Sequence, residues 1–146
     1  MKTIKFIHSI LFIAIIVIIN GCTDYDHDTP DTKPNRSGFE RHIGFKPSAD
    51  VKNLYYYADE FCSDVRYQLG FECSEKTKDK IIAQLGLISI SDSNTSLDPR
   101  DDLTWWNNVN VLKLSCWMKR DKSKEYFRYF WYDSDAKKAY YHEYSI

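Results

Sequence analysis

The chain has 146 residues, 43% of them hydrophobic and 28% charged, which is room for one globular domain with a single core. The formal net charge is −1, and loss of the first 21 residues would remove Lys2 and Lys5 but no acid. That balance excludes the concentrated basic face that a nucleic-acid backbone requires.

The N-terminus reads as an export signal. Lys2 and Lys5 form a short basic start, and Ile10 to Ile19 is unbroken apolar sequence. Even extended back to Phe6 this run falls short of the roughly 20 residues that a spanning helix needs. The tetrad Ile19-Asn20-Gly21-Cys22 that follows resembles the lipobox of bacterial lipoproteins, with an aliphatic residue at −3, a small residue at −1 and cysteine at +1. The resemblance covers residues 1–22 and implies a signal peptide over 1–21, cleavage between Gly21 and Cys22, and a diacylglycerol on the Cys22 sulfur. By the sorting rule of that family in enteric-type bacteria, Thr23 at +2 implies the outer membrane, with the domain facing the periplasm. The implied partner is the lipid bilayer, reached through acylated Cys22.

From Thr23 to Ser37 the chain is polar, acidic and proline-interrupted, with Asp24, Asp26, Asp28 and Asp31 beside Pro30 and Pro34. A segment so poor in apolar residues does not offset its ordering entropy, so residues 22–48 are expected to be a flexible acidic tether. Fully extended at roughly 3.3 Å per residue, its polar part would hold the domain on the order of 50 Å from the membrane. Phe39, Ile43 and Phe45 are candidates for a docking segment at its end.

Residues 49–146 are expected to form one globular domain. Val51 to Phe61 is rich in aromatic and aliphatic residues and predicts a strand, with a turn near Ser63-Asp64. Val65, Tyr67, Leu69, Phe71 and Cys73 alternate with polar residues or glycine, the period of a half-buried strand. Ser74 is a good N-cap; Ile81, Ile82 and Leu85 share one helical face; Gly86 stops the helix. Leu87 to Ser91 is a candidate short strand, and Asp92 to Asp102 reads as loop. Three further strands are expected in 109–119, 125–133 and 139–146, joined by hairpins. The order β-β-α-β-β-β predicts an α+β fold: an antiparallel sheet of about five strands with one amphipathic helix on one face.

Candidate chemistry is sparse. Cys22 is assigned to lipid, which leaves Cys62, Cys73 and Cys116, an odd number in a compartment that permits disulfides. Cys62 and Cys73 fall at opposite ends of a strand, too far apart to bridge. A bridge through Cys116 and a set of buried thiols both stay open. A thiol nucleophile, Cys116 or Cys73, would need His142 as base, yet no local motif supports that pair. Asp92, Asn94 and Ser96 begin like a calcium loop, but Leu97 and Leu103 stand where glycine and glutamate are required. The acidic cluster Asp24, Asp26, His27, Asp28 and Asp31 reads as a solvated strand. No metal, cofactor or catalytic set is expected.

The strongest compositional feature is aromatic. Neighbouring strand residues point to opposite faces, so the aromatics of the last strands cannot all pack under one helix. Trp105, Trp106, Tyr129, Trp131 and Tyr141 are therefore candidates for an exposed binding surface; cross-strand pairing is the alternative. The expected function is a membrane-anchored envelope lipoprotein that binds a protein, as an inhibitor of an envelope or toxin protein or an immunity-like module would. The alternatives are an envelope hydrolase using a Cys/His pair and a glycan- or ligand-binding lipoprotein.

Overall fold

The computed structural model describes residues 27–61, 64–91, 99–121 and 125–145. The signal segment, Gly21 and Cys22, the acids Asp24 and Asp26, Cys62, and the Asp92–Asn94–Ser96 stretch lie outside the described residues.

The alternating runs form strands. Hairpin β1 (Lys52–Phe61) and β2 (Asp64–Glu72) leads into helix α2 (Glu75–Leu85), preceded by α1 (Lys33–Ile43) and followed by β3 (Ile88–Ile90). A single turn, α3 (Asn108–Val111), precedes β4 (Ser115–Asp121), β5 (Tyr126–Asp133) and β6 (Lys138–Ser145). The sheet has six strands in the order β1-β2-β6-β5-β4-β3. Every pairing is antiparallel. The α+β architecture matches the expectation, with the short run after α2 supplying a sixth strand.

The acidic, proline-interrupted stretch is part of the fold where it is described, which corrects the tether expected over 22–48. Thr32 caps α1 by accepting from the Asn35 amide, Pro34 occupies its first turn, and Gly44 closes it in the left-handed region at φ 88°. The features that read as helix breakers are thus the helix start. Asn35 is fully buried, and its side-chain amide donates to the carbonyls of Thr29 and Leu54, both at 2.8 Å. Leu54 lies where β1 slips register beside Asn53, at φ 48°. The domain therefore begins by His27, well before residue 49.

Strand parity sorts the interior into two cores. On one face Leu69, Phe71, Phe130, Ala139 and Tyr141 pack with Phe39 and Ile43 of α1 and Ile81 and Leu85 of α2. On the other, Phe127, Tyr129, Trp131 and Tyr140 pack with Leu103, Trp105, Trp106 and Val111. The second cover is the segment 99–114, which has almost no regular structure and contributes only α3. Trp105 comes so close to β2 that a Cβ on Gly70 would lie 2.7 Å from its ring.

Candidate functional site

The five residues expected at an exposed aromatic surface are interior. Relative exposure is 6% for Trp105, 3% for Trp106 and Tyr129, and zero for Trp131 and Tyr141. The expectation fails because the sheet is covered on both faces, so aromatics pointing either way are buried. Trp106 stands edge-on to Trp131, Tyr140 and His142, with ring centroids 6.1, 5.5 and 6.3 Å away. Tyr129 stacks on Trp131 at 5.6 Å, two residues along the same face of β5, and Phe127 stacks on its cross-strand partner Tyr144 at 4.9 Å, pairings that stabilise a sheet.

The Cys/His pair also fails as a geometry. Cys73 packs in the α1/α2 core and Cys116 in the other, and both are free, buried thiols. Burial pushes each thiol up to about 12, far from the thiolate a nucleophile needs. Cys116 Sγ turns to the Trp117 carbonyl at 3.8 Å rather than to an imidazole. His142 is fully buried, and neither ring nitrogen has a hydrogen-bond partner. Burial, with the charge of Arg66 adding to it, pushes His142 down to about 3.

The most developed polar constellation centres on Glu143 of β6, only 2% exposed. His42 Nδ1 lies 2.7 Å from Glu143 Oε2, and the Tyr141 hydroxyl donates to the same oxygen at 2.8 Å. Arg128 Nε of β5 donates to Oε1 at 3.0 Å, and the Tyr126 hydroxyl also bonds this carboxylate. Burial works to raise the Glu143 carboxyl, but the bonds from His42, Tyr126 and Tyr141 outweigh it and hold the group below its ordinary value. His42 Nε2 lies 3.1 Å from the Tyr56 hydroxyl, and the His42 ring lies over Tyr67 at 4.1 Å.

Hydroxyl, imidazole and carboxylate thus stand in the order of a nucleophile relay. Tyr56, which also lines the groove between α1 and β1, is buried, and burial pushes its phenol up to about 12, away from the phenolate a nucleophile needs. The constellation instead locks α1, through His42, to the centre of the sheet. Nothing local in the sequence marks it, since His42 and Glu143 are 101 residues apart. Beside it, a shallow groove runs between α1 and the outer strand β1, lined by Pro34, Ser37, Arg41, Ala58 and Glu60.

Fold and site together define a small α+β domain with one antiparallel sheet enclosed between two helices and an irregular aromatic layer. No family model, curated protein or solved structure matches the chain. Among the described residues no helix is long and apolar enough to cross a membrane.

Proposed function

We propose that this chain is a lipid-anchored bacterial envelope protein whose domain is a non-catalytic, protein-binding module of the inhibitor or immunity type. The observation that carries the anchor is the tetrad Ile19-Asn20-Gly21-Cys22 behind a short basic and apolar leader. Acylated Cys22 holds the chain to the outer membrane, because two or three acyl chains make a stable anchor where one does not. Protein binding is supported by the outer strand β1, ten residues long at one edge of the sheet, with the α1 groove beside it. An edge strand is a ready template for an added strand, and pockets next to it select side chains.

Two measurements test this reading. Cys22→Ser should abolish incorporation of radiolabelled palmitate and leave an uncleaved precursor; label retained by that variant refutes the anchor. The anchored wild type, solubilised from the envelope, should recover one stoichiometric protein partner, and Ala58→Arg at the groove should lose it while staying labelled. Repeated recovery of no partner removes the binding half of the proposal.

A further inference from the structure

The chain leaves the described domain at His27, and it leaves it on the irregular layer. Trp105 Nε1 donates to the His27 carbonyl at 2.9 Å, and the Thr104 hydroxyl donates to Asp28 at 3.1 Å. Cys22 precedes His27 by five positions. At roughly 3.3 to 3.6 Å per residue the link between them spans at most about 18 Å. A domain of this size is about 35 Å across, so so short a leash cannot bring the opposite side of the molecule to the bilayer. The side that carries Thr104 and Trp105 stays close to it.

That same layer carries two of the three large hydrophobic side chains that stand exposed among the described residues. The three are Ile88 at 67%, Val109 at 67% and Leu112 at 38%. Val109 and Leu112 sit three apart on the α3 turn and share a face. Val111 points the other way, into the core, at 2% exposure. Val109 and Leu112 therefore face outward from the layer, four and seven residues along the chain from Trp105, with Leu112 toward the β3/β4 side of the sheet. Ile88 is on β3, which borders the groove that Leu112 lines. Arg100 and Lys113 balance Asp101 and Asp102 in charge, so the layer neither repels nor depends on anionic headgroups.

We infer that the outer side of the 99–114 layer is the membrane-contacting surface of the anchored protein, with Val109 and Leu112 entering the interface of a phospholipid bilayer. The inference rests on the lipid-anchor reading. It turns the opposite face, with α1 and α2, toward the aqueous side.

The test uses the full acylated chain, purified from membranes and reconstituted in phosphatidylcholine vesicles. An environment-sensitive thiol probe is placed by Val109→Cys on α3 or by Lys76→Cys on α2, and the chain without an added cysteine serves as background. Emission from position 109 should shift to the blue and be quenched at least about two-fold by brominated acyl chains, whereas position 76 should stay aqueous. Palmitate-labelled, vesicle-bound protein with an aqueous probe at 109 overturns the inference and leaves the anchor intact. Protein with neither label nor vesicle binding overturns the anchor and this surface with it.

Discussion

His142 and Glu143 are chain neighbours that point to opposite faces of β6, and burial has opposite consequences for them. Glu143 is surrounded by donors, so Glu143→Gln should cost about 3 kcal/mol by leaving Arg128 without its counter-charge and disrupting the bonds from His42 and Tyr141, measured by chemical denaturation at pH 7. His142 has no partner and must stay neutral in the folded state. Its pKa is about 3 when folded, against 6.5 ordinarily, so below pH 6.5 the unfolded chain takes up a proton that the folded chain refuses. Stability is therefore lost as pH falls from 6.5 toward 3, by about 2 to 3 kcal/mol already at pH 4.5. Glu143 acts lower: its contribution is present above its ordinary 4.5 and is lost as pH falls through its depressed folded value. The window between 4.5 and 6.5 thus separates the His142 contribution from that of Glu143. His142→Leu should flatten the stability profile there and raise stability at pH 7 by about 1 kcal/mol, since it removes two buried nitrogens that bond to nothing. A slope unchanged by that substitution would assign the acid sensitivity elsewhere.

Helix α1 is the element on which a boundary at residue 49 and the observed fold disagree most sharply. Its Gly38 lies flat against Tyr56, where a Cβ would come within 2.6 Å of ring atoms. Gly to Ala within a helix ordinarily gains up to about 1 kcal/mol, but Tyr56 is buried and bonded to His42 and cannot retreat. Gly38→Ala should therefore destabilise by about 1 to 3 kcal/mol in urea titration. A fragment of residues 49–146 should lack a cooperative transition, because Phe39 and Ile43 roof the core, while residues 27–146 should keep it. Strand β2 was legible because alternation at 65–73 records which side is buried, and β5 because an aromatic-rich run stands between turn residues. Helix α2 was legible because Ser74 and Gly86 bracket it, although the reason Ser74 is held so firmly, its bonds to Asp50, comes from outside the helix. Helix α1 was not legible, since Thr32 and Pro34 serve equally as tether residues and as a cap and first turn. The aromatic layer had no period to read. Without a second cover in view, Trp105 and Trp131 looked surplus, and the His42–Glu143 contact had no local trace.

The whole molecule has two cores but one sheet, and that decides how it must come apart. Leu69, Phe130 and Tyr141 face α1 and α2, while their strand neighbours Tyr129, Trp131 and Tyr140 face the aromatic layer. Losing strand order on behalf of one core destroys the other, so neither cover protects an independent unit. Stripping the layer alone would expose Trp105, Trp106, Trp131 and Tyr140 together, each worth several kcal/mol of apolar burial, a state far above the folded one. Unfolding should then be a single transition in which tryptophan emission, dominated by the layer side, coincides with far-ultraviolet circular dichroism, dominated by sheet and helices. Phe39→Leu in one core and Trp106→Phe in the other should each lower the midpoint of both signals together, with the slope unchanged. Emission that shifts before the dichroism would mean the 99–114 layer detaches on its own. In that case the surface inferred to meet the bilayer would be a separable cover rather than one face of a cooperative domain.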